Sequence, residues 1–517
     1  MNRLLVCLAA LALSALLSFS GCGGGGKDPV AILAAPARGT LLQNPPQLLS
    51  TQSVAALLSQ LSVGANQVLL ALSGIPLCDI QVYQIRYATV GGTSEATAAS
   101  GAMMVPSGLD PNCHGARPVV LYAHGTTTDR AFNIANLSDP QNAEGLLMAA
   151  LFAAQGYIVV APNYAGYDSS TLAYHPYLNG DQQSKDMIDA LAAARSALPA
   201  RQAPLTTDGG RLFLTGYSQG GYVAMATHRA MQTAGMTVTA SAPMSGPYAL
   251  AAFVDAVFFG EVNSGAPVLM TFLMTAYQKS YGDLYANAAD VFEAPYAAGI
   301  DALLPSTLAR SELYAQNKLP PSALFSAVPP DPSFAANTPA VTPANLAPVF
   351  AAGFGAGSLL KNSFRLSYLL DAQANPDGGW PTVTTGVVAA SPSLPFRQRL
   401  KQNDLRNWVP AAPTLLCGGD ADPSVFWLNT QSMQDYWAAQ PIPPAHSTVL
   451  NLERAVSAGD VYANLKTQFS LAKQVVAVAA VAQGATDGGA AAVTEAYHST
   501  LVPPYCLAAV RSFFAGL

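Results

Sequence analysis

Arg211-Leu212-Phe213-Leu214-Thr215-Gly216-Tyr217-Ser218-Gln219-Gly220-Gly221 is the stretch that decides how this chain is read. The apolar run 211–215 predicts a buried strand, and Tyr222-Val223-Ala224-Met225-Ala226 beyond the glycines predicts a helix. Between them Ser218 stands at the tip of a sharp turn. Gly216 and Gly220 answer a steric demand: the serine of such a turn is held in a strained backbone conformation. Side chains two residues before or after it would collide with the adjoining strand and helix. The helix N-terminus favours negative charge beside the serine. The plainer alternative is a glycine-rich turn whose serine only caps the helix.

Working outward, the segments alternate. Upstream, Ile80 to Tyr87, Thr97 to Val105, Pro118 to Ala123 and Tyr157 to Ala161 read as strands. Ser50 to Leu72, Asn142 to Gln155 and Asp181 to Leu198 read as helices, and Thr237 to Met244 is the next strand. Strands alternating with helices predict an α/β architecture, a mostly parallel central sheet with helices on both faces. From about residue 250 to 410 the rhythm breaks into proline-interrupted helical and loop segments, which predicts an inserted, mainly helical cap. Within it Phe253 to Tyr277 is notably apolar, fitting either a hydrophobic pocket or simply the cap's core. The rhythm returns at Pro413 to Cys417 and Ser447 to Leu452 as strands, with helices at Thr430 to Ala439, Asp460 to Ala482 and Cys506 to Ala515. Gly484 to Ala492 reads as a loop.

The 517 residues carry only 10% charged side chains and a net charge of −6, without a basic patch, which argues against a nucleic-acid partner. Asn2-Arg3 followed by the apolar run Leu4 to Phe19 predicts a signal peptide over 1–21. Phe19-Ser20-Gly21-Cys22 resembles the lipobox of bacterial lipoproteins, in which the residue matching Cys22 receives diacylglycerol. That resemblance implies an exported protein anchored to a membrane by lipid, or a secreted one if Cys22 is unmodified. Residues 22–49 read as a tether and linker, 50–250 as the first part of the core, 251–409 as the cap and 410–517 as the second part. Beyond Cys7 and Cys22, four cysteines remain, an even number for an oxidising compartment. Three connectivities are open; Cys78 with Cys113 and Cys417 with Cys506 is the favoured one. No C-x-x-C or H-x-x-x-H spacing offers a metal site.

A serine hydroxyl needs a base to become a nucleophile, and the base needs an orienting carboxylate. In an open α/β sheet these belong on loops at the carboxyl ends of strands. After the strand 413–417 come Gly418-Gly419-Asp420-Ala421-Asp422-Pro423, and near the C-terminus comes Tyr497-His498-Ser499. The order Ser218, Asp422, His498 is that of the α/β-hydrolases. Asp420 and His446 are the rivals. His446 directly precedes a predicted strand, at the wrong end for a base. The 76 residues from Asp422 to His498 make a long gap that implies an inserted helix. His175 is a candidate for the cleft wall, and His124 for a structural role.

The chain here resembles the α/β-hydrolase superfamily, and within it bacterial exported esterases and lipases with a large cap, over roughly 75–250 and 410–517. Besides the serine turn, the resemblance rests on Tyr122-Ala123-His124-Gly125-Thr126, on Gly156-Tyr157-Ile158-Val159-Val160-Ala161-Pro162-Asn163-Tyr164-Ala165-Gly166-Tyr167 and on Gly419-x-x-Asp422. Asn163 stands where the family usually has aspartate. The resemblance implies Ser218 as nucleophile, His498 as base and then acid, and Asp422 as its orienting group. It implies an oxyanion hole from the backbone N–H of Gln219 and of Thr126 or Gly125. The activity it implies is cofactor-free hydrolysis of a small-molecule or lipid ester through an acyl-enzyme. A serine exopeptidase, an acyltransferase and a non-catalytic surface binding protein remain the alternatives.

Overall fold

The computed structural model describes residues 35–64, 66–139, 142–198, 206–377, 387–441, 444 and 446–517. The chain divides into Met1–Ala35 and Pro36–Leu517, and the second unit is described below. The signal segment and Cys22 lie outside the described residues.

Nine strands form one sheet among the described residues: β1 Gln47–Gln52, β2 Asp79–Val90, β3 Ala96–Ser107, β4 Gly115–Ala123, β5 Ile158–Pro162, β6 Thr206–Tyr217, β7 Ala240–Met244, β8 Thr414–Gly418 and β9 Ser447–Asn451. Their order across the sheet is β1-β2-β3-β5-β4-β6-β7-β8-β9. From β5 to β9 every neighbour is parallel, whereas β1, β2 and β3 join antiparallel at one side. The parallel strands are apolar throughout because both faces are covered. Along β4, Val119, Leu121 and Ala123 face a core shared with the helices Gly180–Ala197 and Gln219–Thr233. Val120 and Tyr122 face the opposite core, shared with Ala143–Leu151 and Val502–Ala515. The fold is α/β, as the alternation predicts.

Several boundaries differ from the sequence reading. Gln47–Gln52 is an edge strand paired with β2, so neither the linker extends to 49 nor a helix begins at Ser50. The helix begins at Val54, where the Ser53 hydroxyl accepts the Ala56 N–H at 3.1 Å. The element β6 starts five residues before the apolar run, and its Thr206–Asp208 pairs with Gly115–Arg117 before a register shift. The segment 484–492 ends in a helix, Ala490–Ala496. The closing helix starts at Val502, preceded by a wide π turn, Tyr497–Leu501.

Between β7 and β8 the chain builds the inserted helical region. Its principal helices are Leu250–Phe258, Ala266–Tyr281, Asn362–Ala374 and Pro395–Asn403. Disulfides join Cys78 to Cys113 and Cys417 to Cys506, which fits export to an oxidising compartment. The second ties β8 to the closing helix. No helix among the described residues is long and apolar enough to cross a membrane.

Candidate active site

Ser218 directly follows β6 with φ 58° and ψ −122°, outside the ordinary regions for a residue with a side chain. The flanking glycines make that turn possible. A Cβ on Gly216 would lie 2.3 Å from the Gly220 carbonyl oxygen, and one on Gly220 only 1.9 Å from that of Ala123. The strain therefore exists because strand, turn and helix are packed too closely to let the serine relax.

The turn points Ser218 Oγ at His498 Nε2, 2.8 Å away. His498 Nδ1 lies 2.7 Å from Asp422 Oδ2. The other carboxylate oxygen of Asp422 accepts the N–H groups of Ser424 at 2.9 Å and Val425 at 3.0 Å, so the buried acid cannot swing away. With the carboxylate on Nδ1, that nitrogen carries the proton and Nε2 is left as an acceptor for the serine hydroxyl. His498 sits on the π turn Tyr497–Leu501. Two tyrosines hold this turn. Tyr217 donates to the His498 carbonyl oxygen at 2.5 Å, and Tyr497 donates to Glu453 at 2.9 Å while its ring packs on Phe469.

The rivals stand elsewhere. Asp420 is exposed and accepts from Asn451 at 3.0 Å. His446 lies at the amino end of β9, its carbonyl accepting the Thr414 N–H at 2.9 Å. His175 is 1% exposed and belongs to the layer behind the cleft rather than its wall. Its Nδ1 donates to the Ala165 carbonyl at 3.0 Å, leaving Nε2 to accept the Gln219 side-chain amide at 2.7 Å. Burial pulls His175 down to about 3, and His124 and His228 down to about 4, so all three stay neutral at working pH.

The oxyanion candidates differ in what holds them. The Gly125 N–H donates to both carboxylate oxygens of Glu144, at 3.0 and 3.1 Å, and Tyr122 OH donates to the same carboxylate. Burial holds Glu144 above the usual glutamate range, opposed by the Tyr122 and Gly125 hydrogen bonds. Thr126 Oγ1 lies 2.9 Å from Tyr177 OH. Sequence reasoning passed over Glu144. It follows the N-cap Asn142 in the first turn of a helix, where an acidic residue is ordinary, and no spacing links it to Gly125.

A cavity of about 520 Å³ opens over Ser218 and His498. Helices of the inserted region supply its apolar wall, with Phe253, Val257, Leu269 and Leu273, while Glu144 and Tyr217 are among its polar lining on the sheet side.

Known proteins resemble this chain in fold and across the segment that holds the serine turn. Residues 146–255, which include the Ser218 turn, match the prolyl oligopeptidase family. Among solved structures, the rice cell wall degrading esterase LipA from Xanthomonas oryzae is 26% identical, covering 93% of this chain and 99% of that one with a TM-score of 0.65. Another LipA structure is 28% identical, covers 84% and 95%, and has a TM-score of 0.63. A Legionella pneumophila structure at 20% identity and TM-score 0.56, covering 78% of this chain and 90% of that one, shares the fold. No curated protein matches significantly. The fold is that of the α/β-hydrolases. Fold, serine turn and neighbours together make this chain a serine hydrolase.

Proposed function

We propose that this protein is a carboxylic ester hydrolase, an esterase or lipase acting on hydrophobic esters through an acyl-enzyme on Ser218. The observation that carries the reading is the relay from Ser218 Oγ through His498 to Asp422 at 2.8 and 2.7 Å, opening on a cavity with an apolar wall on its cap side. The esterase named among the structural neighbours adds support.

In this reading His498 Nε2 takes the Ser218 proton as the hydroxyl attacks the ester carbonyl. The developing oxyanion is met by the backbone N–H of Gln219 and that of Thr126. His498 then protonates the departing alcohol and afterwards activates the water that releases the acid. Asp422 orients the ring and stabilises the imidazolium. The Gly125 N–H is occupied by Glu144, which leaves Thr126 as the second donor. Each such donor is worth about 10²–10³ in rate.

The proposed boundaries are 50–250 and 410–517 for the core and 251–409 for the cap, with Gln47–Gln52 added to the core by its strand pairing. A signal peptide over 1–21 and lipidation at Cys22, placing the enzyme on a bacterial membrane, belong to the same proposal. Mass spectrometry of the mature N-terminus tests both.

The deciding assay is hydrolysis of p-nitrophenyl esters from acetate to palmitate by wild type and Ser218→Ala. Activity lost in the variant is the expected outcome, and the chain-length profile separates esterase from lipase. A folded wild type inactive on every ester but active on amino-acid p-nitroanilides would replace this reading with an exopeptidase.

A further inference from the structure

We propose that Glu144 is a positioning residue of the oxyanion hole, acting through the Gly125 backbone to aim the Thr126 N–H at the reacting carbonyl. The inference rests on the Ser218 reading above and adds a residue to it.

Two successive peptide groups at Gly125 are held in opposite orientations. In the peptide joining His124 to Gly125, the carbonyl oxygen accepts Tyr164 OH at 3.0 Å and the N–H donates to Glu144. That plane is fixed at both ends. In the next peptide, the Gly125 carbonyl oxygen lies 2.7 Å from His124 Nδ1. A trans peptide sets its N–H opposite to its carbonyl, so an oxygen held on the His124 side turns the Thr126 N–H the other way. Gly125, Thr126 and Ser218 all line the same cavity.

Two of these three anchors are built into the buried interior. Tyr164 and His124 are 0% and 1% exposed and their rings stack at 4.2 Å. Neutral His124 has one ring proton, and the shorter of its two carbonyl contacts, 2.7 Å to Gly125 against 3.2 Å to Asn163, takes it. Glu144 is the exception, because its carboxylate forms part of the cavity wall, where substrate and water come and go. Its carboxylate also packs tightly on the Gly125 backbone: a Cβ on Gly125 would lie 2.9 Å from Glu144 Oε1. Without it, the Gly125 N–H loses both of its acceptors and the first peptide plane is held only at its carbonyl end. The loop would then rotate and withdraw Thr126.

The test measures kcat and KM on p-nitrophenyl butyrate, affinity for phenylboronic acid and the rate of Ser218 labelling by a fluorophosphonate. The proteins are wild type, Glu144→Ala, Glu144→Gln and Tyr122→Phe. Loss of aim predicts that Glu144→Ala lowers kcat and the labelling rate about 100-fold while KM stays within about twofold, since misplacement by about 1 Å costs that much. Boronate affinity falls in parallel because boronate occupies the oxyanion position. Glu144→Gln, which keeps one acceptor for Gly125, restores most of the rate. If Glu144→Ala does not fold, Tyr122→Phe, which removes only the second partner of the carboxylate, carries the test with a several-fold loss of kcat. Unchanged kcat and labelling in a folded Glu144→Ala, or a rise in KM alone, would overturn the inference. A wild type that labels but hydrolyses no ester would sink the esterase reading instead, and the labelling rates would still decide the role of Glu144.

Discussion

On the sheet side of the cavity, Ser218 and Asp422 stand just beyond the ends of β6 and β8, and His498 stands on a turn clamped by Tyr217 and Tyr497. Backbone geometry does most of the positioning there: strained φ at Ser218, two N–H groups on Asp422, a carbonyl of the His498 turn held by a hydroxyl. On the cap side no strand runs among the described residues, and buried side chains do much of the holding. Arg397 bridges Asp255 at 2.9 Å and Asp371 at 3.0 Å. Arg406 is fully buried and bridges Asp377 and Asp404, each at 2.8 Å. Arg365, also fully buried, satisfies its guanidinium on the carbonyls of Phe258 and Asn337 and lies over the Phe325 and Phe354 rings. The contrast separates chemistry from stability: damage on the sheet side should cost rate, and damage on the cap side should cost folding.

The largest effect belongs to Asp422→Asn. The isosteric amide keeps the oxygen facing Ser424 and Val425 but no longer selects the tautomer with Nδ1 protonated. The expected loss is about 10⁴-fold in kcat, with the melting temperature nearly unchanged. Stopped assays on p-nitrophenyl butyrate and thermal denaturation measure both. A melting point lowered by many degrees would erase the contrast on its stronger side.

Arg406→Leu tests the other side. It leaves Asp377 and Asp404 buried without their partner, and Asp404 also holds the first turn of the helix Leu250–Phe258 through the Ala251 N–H at 3.0 Å. Removing one partner of a buried ion pair costs about 3–5 kcal/mol. Urea unfolding should show that loss, while kcat of the fraction still folded should change only a few-fold. A kcat falling as far as in Asp422→Asn would mean that the cap network reaches the reacting groups.

The same contrast governs what the sequence made legible. Ser218, its glycines and strands such as Val119-Val120-Leu121 are legible because backbone constraint and double-sided burial leave a mark in residue type. The edge strand Gln47–Gln52 left none: with one neighbour and no buried alternation, its six polar and apolar residues could equally begin a helix. The polar start of β6, Thr206-Thr207-Asp208-Gly209-Gly210, has turn composition but is carried along by β4. The sequence puts His498 near the closing helix, yet the π turn that carries it depends on Tyr217 and Tyr497, which come from distant sequence or bond distant partners. Glu144 was invisible for the same reason, since its meaning lies in Gly125, nineteen residues earlier. In the cap, arginine and aspartate pairs have no periodicity, so only the helical character and the insertion point could be read.

The smallest effect lies where the two sides meet. Glu261 sits between the helices Leu250–Phe258 and Ala266–Tyr281, two residues before Asn263-Ser264-Gly265, which line the cavity. Burial raises its carboxyl to about 7. The native state therefore holds a proton that the unfolded chain has released at an ordinary glutamate value. Stability is full below that ordinary value and falls as pH rises towards about 7, because ionising the half-buried group in place costs free energy. At about 1.4 kcal/mol per pKa unit, reduced for residual solvent contact, the loss is ~1–3 kcal/mol. Glu261→Gln removes the titration. Its stability relative to wild type should therefore be higher by that amount at pH 8.5 than at pH 4, read from urea unfolding at the two values. A constant difference between the two proteins would mean that Glu261 reaches water freely, and that this stretch of cavity wall is held as loosely as a surface loop.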